Sequence, residues 1–264
     1  MSRSQSARLR KTVPASGWQL FVDPHGDRGT VNMAIDCGLL RQAQTGLASL
    51  RLYRWNPPCL SFGRNEPAST RYDLAAIRDR EIDVVRRPTG GRAVWHDQEL
   101  TYAVAAPIDH FGSLRHTYLA IHDMIRIALH SIGVAATLAQ RSRSSGLTRG
   151  ACFASPAGGE IVVAGKKLVG SAQVREGTAF LQHGSILLDN QQDLVAELTH
   201  GDGARPHATS LQEVLDRPVA FAEVATAVTE AARASWVGSW FNAGRSTLES
   251  DYLNFDHAAW TWRR

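Results

Sequence analysis

The first half of the chain combines strand-like segments with one helical pattern. "WQLFVD" (18–23) and "LRLYRW" (50–55) are typical of strands, the latter with Leu50 and Leu52 alternating with polar positions. Between them, apolar residues of "TVNMAIDCGLLRQAQ" (30–44) follow helical spacing. The pattern then predicts a short strand in "PPCLSFGRN", a short helix at 69–80 with a Ser/Thr cap, a strand at 82–87, and strands in "AVWH" and "LTYAVAAP".

The second half opens with a strong helical stripe that runs from Ser113 to Gly133. Its apolar positions recur every three or four residues, and Gly133 is the expected C-terminal cap. A polar, glycine-rich segment (139–160) follows, and "IVVAGKKLVGSA" then predicts a hairpin whose turn contains Gly165. The last predicted elements are a strand in "TAFLQHGSILLD" and helices in "DLVAEL", "SLQEVL" and "FAEVATAVTEAARASW".

This order of elements predicts the fold class. Runs of strands with hairpin-length links and few helices indicate an α+β fold with a mixed, largely antiparallel sheet flanked by helices. Strict βαβ alternation is absent, and "PTGGRAV" lacks the glycine spacing of dinucleotide and P-loop motifs. The length of 264 residues suits one domain. We therefore predict a single domain over 17–264 and a flexible basic tail at 1–16, for which an organelle transit peptide is the alternative.

Composition narrows the classes of partner. Lys and Arg together number 29 against 25 for Asp and Glu, a net charge of +4. This mild excess suits an anionic substrate or an acidic protein, but no concentrated basic stripe indicates nucleic-acid binding. No apolar run approaches the about 18 residues that a membrane span needs. We expect a cytoplasmic protein that binds neither nucleic acid nor membrane.

Three cysteines are present, and their spacing matches no metal motif. Cys37 on an apolar helix face and Cys59 at a strand start are typical core residues. Cys152 stands in "GACFASP" near Arg149, where a positive environment favours a reactive thiolate, although burial as a small apolar residue is the alternative. The sequence predicts no metal site.

The segment "RRPTGGRAVWHD" (86–97) is a glycine-rich loop with three arginines. Gly90 and Gly91 allow backbone amides to approach a ligand closely, and Arg86, Arg87 and Arg92 supply charged donors for an anion or a polarised carbonyl. The alternative is a tight turn between strands with solvated arginines. His96 closes the loop and is expected to orient it.

Two further segments carry candidate chemistry. Strand alternation places Lys166 and Lys167 on opposite sides of the hairpin, so one ammonium can point inward. An inward Lys167 would donate to a carbonyl or phosphate, whereas the alternative is a pair of turn charges with little packed area. His183 in "LQHGSI" is either a general base or a structural strand histidine.

Taken together and in this order, "RRPTGGRAVWHDQELTYAV", "GKKLVGSAQ" and "LQHGSILLD" resemble the biotin/lipoate protein ligase and octanoyltransferase family. The segments "NMAID" and "LSFGRN" extend the resemblance, which covers about two-thirds of the chain. Within the family the chain is most similar to the Cys-dependent octanoyl-carrier-protein:protein N-octanoyltransferases, whose nucleophile lies in an "ACF" segment. The implied fold is a catalytic domain with a mixed sheet flanked by helices.

The resemblance also implies roles for residues. Cys152 would carry the acyl group and Lys167 would contact the acyl carbonyl. The donor would be octanoyl-acyl carrier protein, the acceptor a lysine of a lipoyl domain such as glycine cleavage H protein, and no cofactor would be needed. The expected substrate-binding residues come from the three motifs: Arg87, Thr89, Gly90, Gly91, Arg92, His96, Gly170, Ser171, His183 and Gly184.

Two alternatives remain open at this point. An ATP-dependent lipoate or octanoate ligase would use the same loop and Lys167 to bind an acyl-adenylate. A non-catalytic acyl-binding protein could be built on the same scaffold. Cys152 and Lys167 occurring together disfavour the second. The resemblance implies that lipoate ligases of the family append a small accessory domain, whereas here the residues after "HGSILLD" are predicted to be helices of the main domain, so no C-terminal accessory domain is expected and the first is disfavoured.

Overall fold

The computed structural model describes residues 17–139, 159–201, 207–244, 255 and 257–263. The predicted tail at 1–16 lies outside these residues, and the single domain over 17–264 stays a prediction. The strands are β1 (Trp18–Asp27), β2 (Ala48–Trp55), β3 (Cys59–Phe62), β4 (Asp83–Arg86), β5 (Val94–His96), β6 (Glu99–Pro107), β7 (Thr137–Leu138), β8 (Ile161–Val163), β9 (Lys166–Glu176), β10 (Ala179–Leu187) and β11 (Trp240–Asn242).

The three long helices occupy the positions that the apolar spacing predicts. In the longest, Ser113 caps the N-terminus and Gly133 follows the last turn with φ near 90°, as the sequence indicated. The helices are α1 (Gly29–Gln44), α2 (Ala68–Arg71), α3 (Leu74–Asp79), α4 (Leu114–Ser131), α5 (Asp193–Glu197), α6 (Leu211–Leu215), α7 (Phe221–Ser235) and α8 (Ala258–Thr261).

The predicted helix at 69–80 differs from the structure. Two short helices, α2 and α3, replace it, and the cap of α3 is Asp73 rather than Ser or Thr. The Asp73 Oδ1 accepts from the backbone N–H groups of Ala75 and Ala76, each at 3.0 Å. An aspartate can accept hydrogen bonds from the first unpaired backbone amides of a helix as well as a hydroxyl can. The first helix therefore ends before Tyr72, and a second one begins after the Asp73 cap.

A large mixed sheet organises the protein, with strand order β11-β1-β2-β6-β10-β9-β8-β7. The pairs β1–β2 and β1–β11 are parallel, and the remaining pairs of this sheet are antiparallel. A smaller sheet, β4-β3-β5, holds both ends of the loop at 87–93. The predicted α+β class with a largely antiparallel sheet is confirmed.

Side-chain alternation divides the core between the two faces of the large sheet. Leu50 and Leu52 of β2 pack with α4 and α7 on one face. Tyr53 and Trp55 pack on the other face, with apolar residues of α1. Because both faces are covered, most of the central strands β2, β6 and β10 is buried. Among the described residues, no helix is both long and apolar enough to span a membrane.

Candidate active site

The loop at 87–93 is held tightly against the turn after β3. The Thr89 carbonyl accepts from the Arg64 amide at 2.7 Å. Gly91 has φ of 95°, a conformation that favours glycine. A methyl group on Gly63 would lie 1.9 Å from the Gly91 carbonyl oxygen, so this approach also requires glycine. Gly90 is different, because a Cβ there would meet no atom within 4 Å. The loop therefore leaves open space beside Gly90.

Two of the three loop arginines are buried, which excludes the solvated alternative for them. Arg86 is fully buried and Arg87 is 4% exposed, so neither is a solvated turn charge. The Arg87 guanidinium donates to the backbone carbonyls of Ser61, Gly90 and Arg92 at 2.8–3.1 Å. Its geometry braces the loop from beneath, because these donors are committed to backbone oxygens. Direct contact between Arg87 and a substrate stays a prediction.

Arg86 points to the opposite side of the loop. Its Nη1 donates to the Gly63 and Glu66 carbonyls, each at 2.7 Å, and its Nη2 donates to the Thr261 carbonyl at 2.9 Å. Burial lowers the pKa of Arg86 to about 10. Arg86, the last residue of β4, thus ties helix α8 to the turn after β3. Arg92 is half-buried and pairs with Glu66 at 3.6 Å.

His183 of β10 joins the loop to helix α1. Its Nδ1 donates to Asp36 Oδ2 at 2.9 Å, and its Nε2 lies 2.7 Å from the Thr89 hydroxyl. Asp36 also pairs with the buried Arg51 at 2.9 Å. With both ring nitrogens occupied, the geometry favours the structural alternative for His183, which fixes the loop through Thr89.

His96 has a similar buried setting at the end of β5. Its Nδ1 lies 2.8 Å from Glu99 Oε1 and its Nε2 lies 2.6 Å from the Ser61 hydroxyl. Burial lowers the pKa of His96, although Glu99 opposes this shift. The ring stacks on Trp55 with centroids 4.0 Å apart. These contacts fix the His96 ring at the end of β5, and its part in orienting the loop or binding substrate stays a prediction.

A partly open cavity lies between this loop and the large sheet. Its wall combines apolar side chains, backbone glycines and a few hydroxyl and imidazole groups. Six residues predicted from the sequence as substrate-binding border it, namely Arg87, His96, Gly170, Ser171, His183 and Gly184. The other lining residues are Met33, Tyr53, Trp55, Val94, Thr101, Ala172 and Ser185.

Strand register explains why two glycines occur in this wall. Gly184 of β10 lies opposite Ser171 of β9, and Gly170 lies opposite Ser185. A Cβ on Gly184 would lie 2.5 Å from the Gly170 carbonyl and 2.8 Å from the Tyr102 ring. Only a residue without a side chain allows this packing, so the "GSA" and "HGS" segments meet as a pair.

Lys167 is buried, as the alternation argument allowed. It is 1% exposed, whereas Lys166 is exposed. The Lys167 ammonium donates to Glu160 Oε1 at 2.7 Å, and the Glu160 side chain is 7% exposed. Lys167 is therefore a desolvated ion-pair member on β9, four residues before Ser171, and not a turn charge with little packed area.

His122 of α4 contacts the same strand from the helical layer. Its Nε2 lies 2.8 Å from the Ser171 hydroxyl, and its Nδ1 lies 2.6 Å from the Gly159 carbonyl. Complete burial lowers the pKa of His122 to about 4, so the imidazole is neutral. Ser171 also bonds the Tyr102 hydroxyl at 2.6 Å.

Two of the three cysteines are placed by the structure. Cys59 is fully buried in the core, and Cys37 is partly buried against the same cluster. Burial raises the pKa of Cys59 well above its usual value and that of Cys37 to about 12. Neither forms a thiolate readily at neutral pH. Cys152 lies outside the described residues.

Sequence reasoning missed Asp36, Glu160 and His122 as members of this region. Asp36 and His122 each carried a signal, since both stand on apolar helix faces where a polar residue needs a buried partner. Glu160 gave no comparable local signal. Among the described residues, no group of three or more His, Cys, Asp or Glu side chains is arranged to hold a metal ion.

Known proteins are similar to this chain over most of its length. Residues 28–233 match the lipoyl protein ligase A/B catalytic domain. Octanoyltransferase LipM from Moorella thermoacetica is 40% identical over 225 residues, which cover 78% of this chain and 82% of the relative. Octanoyltransferase LipM from Kyrpidia tusciae is 37% identical over 254 residues, covering 88% of this chain and 91% of the relative.

Among solved structures, a bi-partite lipoate protein ligase from Thermoplasma acidophilum, determined in a study that includes its E2 lipoyl domain, has the same fold. It superimposes with a TM-score of 0.70, at 18% identity, covering 94% of this chain and 96% of the other. At this identity the likeness concerns the fold alone.

Proposed function

The chain belongs to the lipoyl protein ligase A/B catalytic-domain family and is a protein octanoyltransferase, and from this premise we propose the donor, the intermediate and the acceptor of its reaction. The octanoyl group comes from octanoyl-acyl carrier protein. It passes to the Cys152 sulfur as a thioester, and then to the ε-amine of a lysine on a lipoyl domain such as glycine cleavage H protein.

The observation that carries this proposal is the small cavity under the loop at 87–93. It is partly open, and six of the residues that the sequence predicted as substrate-binding border it. Met33, Tyr53, Trp55 and Val94 give it apolar walls. Apolar walls of this kind suit a short acyl chain, because burying its methylenes gains about 0.8 kcal/mol each.

The reacting end of the acyl group would face the polar side of the region. The open space beside Gly90 allows a backbone amide to approach the carbonyl. Lys167 supplies a positive charge that developing negative charge on the carbonyl oxygen would attract. A well-placed donor to such an oxyanion contributes about 3–4 kcal/mol to lowering the barrier. Lys167 and the Gly90 and Gly91 amides are the candidates for this role.

The covalent intermediate is assigned to Cys152 because the other two cysteines have raised pKa values. Exchange of one thioester for another is nearly balanced in free energy, whereas formation of the amide is downhill. The donor thioester therefore supplies the activation, and no nucleotide is needed. Transfer to a lipoyl domain agrees with the study of the T. acidophilum ligase, which includes that protein's own E2 lipoyl domain.

The test uses purified protein, an apo-lipoyl domain and two acyl sources. We expect amide formation from octanoyl-acyl carrier protein without ATP, and none from free octanoate with ATP and Mg²⁺. Cys152→Ala should abolish transfer. ATP-dependent transfer from free octanoate that survives in Cys152→Ala would establish the ligase alternative instead. Binding of octanoyl thioester without any transfer would establish a non-catalytic acyl-binding protein.

A further inference from the structure

A chain of buried hydrogen bonds crosses from the large sheet to helix α4. Gln182 Nε2 lies 3.1 Å from the Tyr102 hydroxyl, which lies 2.6 Å from the Ser171 hydroxyl. The Ser171 oxygen lies 2.8 Å from His122 Nε2, and His122 Nδ1 lies 2.6 Å from the Gly159 carbonyl. Gln182, Tyr102 and His122 are fully buried. Ser171 alone among these side chains borders the cavity.

The Gly159 carbonyl at one end of this series fixes the direction of every hydrogen bond in it. A carbonyl oxygen can only accept, so His122 Nδ1 carries the proton and donates to Gly159. The buried imidazole is neutral, which leaves Nε2 as an acceptor. The Ser171 O–H must therefore donate to His122. Tyr102 in turn donates to Ser171, and Gln182 donates to Tyr102.

This direction determines what Ser171 can offer to a bound substrate. A hydroxyl has one proton and two lone pairs. The proton is committed to His122 and one lone pair to Tyr102. Toward the cavity, Ser171 presents an acceptor and no donor. It cannot hydrogen-bond the acyl carbonyl oxygen, which is itself an acceptor.

The reaction contains one natural partner for such an acceptor, namely the N–H of the attacking amine. We propose that Ser171, held by His122, is the hydrogen-bond acceptor that positions the ε-amine of the incoming lysine for attack. This inference rests on the proposed function. His122 acts as a positioning residue, because it does not border the cavity and bonds the hydroxyl of Ser171, which does.

Ser171 neither gains nor loses a proton in this step. The amine nitrogen forms the C–N bond to the acyl carbon, and the C–S bond of the thioester breaks. One proton leaves the nitrogen and the departing sulfur gains one, so the products are an amide and a thiol. Ser171 accepts a hydrogen bond from the amine throughout and orients its lone pair toward the carbonyl carbon.

The experiment separates the two half-reactions. Acylation of the enzyme by octanoyl-acyl carrier protein is followed by intact mass, and transfer from the isolated acyl-enzyme to an apo-lipoyl domain is followed by single-turnover kinetics. We expect Ser171→Ala to slow transfer by about tenfold or more while acylation changes by less than about twofold. An oxyanion donor would instead slow both half-reactions.

Variants at His122 test its part in this arrangement. In His122→Gln the amide can donate to Gly159 and accept from Ser171, so transfer should stay within about threefold of wild type. His122→Leu frees the Ser171 proton and should slow transfer as much as Ser171→Ala. His130 lies exposed on the same helix and bonds the Ala136 carbonyl at 2.8 Å, so His130→Leu is the matched control.

Each outcome bears on one of the two proposals. Equal rates for His122→Gln and His122→Leu, or equal loss in both half-reactions for Ser171→Ala, would overturn the role of Ser171. A wild-type enzyme that forms no octanoyl adduct would overturn the proposed function itself. Thermal unfolding of each variant identifies misfolding, and Ser171→Ala, at a half-buried position, removes only one oxygen.

Discussion

The Lys167 ammonium and the Glu160 carboxylate form an ion pair at 2.7 Å, with both side chains buried. Removing one member leaves the other charge buried without its partner, so we expect Lys167→Met to lower the free energy of unfolding by about 3–5 kcal/mol. The double variant Glu160→Gln/Lys167→Met should recover most of that loss, yet transfer no octanoyl group. Urea unfolding and the transfer assay measure the two effects.

Lys166→Ala is the control for this pair, because Lys166 is exposed at the adjacent position. Its stability should change by less than about 0.5 kcal/mol and its activity should be retained. If the double variant keeps full transfer activity, Lys167 has no part in catalysis.

Gly90 and Gly63 provide a matched comparison in the loop region. Gly90→Ala meets no atom within 4 Å, so stability should hold or rise by up to about 1 kcal/mol. Transfer should fall by about tenfold, since the methyl group occupies space where the ligand approaches the backbone. Gly63→Ala would clash with the Gly91 carbonyl and should destabilise the fold by several kcal/mol. Undiminished activity in Gly90→Ala would place the acyl carbonyl elsewhere.

Cysteine labelling tests the assignment of the nucleophile. Burial raises the pKa of Cys37 to about 12 and that of Cys59 well above its usual value, so neither thiol ionises appreciably at pH 8. Iodoacetamide should therefore modify Cys152 first in the native protein, with the other two reacting after denaturation. Peptide mapping identifies the sites, and an octanoyl adduct on Cys37 or Cys59 would contradict the assignment.

Arg86 connects the loop to the C-terminal segment. A lysine cannot span the carbonyls of Gly63 and Thr261 together, so Arg86→Lys should lower stability by about 2–4 kcal/mol. Deleting residues 257–264 should cost a similar amount, and the two changes together should be less than additive. Arg64→Lys, at an exposed position, is the control in the same thermal unfolding series.

The lowered pKa of His122 determines whether the stability of the protein rises or falls with pH. The folded pKa is about 4 against an ordinary value of 6.5, so the unfolded chain binds more protons between these values. Stability therefore rises with pH across this window and is lost as pH falls from 6.5 toward 4, by roughly 3 kcal/mol from this residue. His122→Gln should lose less stability than wild type over the same range in urea titrations. Parallel pH profiles would show that folding does not lower the pKa of His122.

Local periodicity was enough to predict most elements and the sidedness of several residues. The stripe along α4 predicted its buried face, and the alternation of Leu50 and Leu52 predicted one core-facing side of β2. The same rule separated Lys166 from Lys167. These features depend only on the periods of 3.6 and 2 with which helices and strands present side chains, so they are visible in a short window.

The partners of the buried polar groups were decided by tertiary structure. His183 meets Asp36 across 147 positions, and Arg86 meets Thr261 across 175. The sequence can indicate that a polar residue will be buried and will need a hydrogen-bond partner. Which residue becomes that partner depends on the order and register of the strands. For this reason Arg86 and Arg87 bond backbone carbonyls that are distant along the chain or belong to the loop itself, and Arg92 pairs with Glu66. The orientation of Ser171 likewise follows from His122 on a different layer, which no local pattern in "GKKLVGSAQ" encodes.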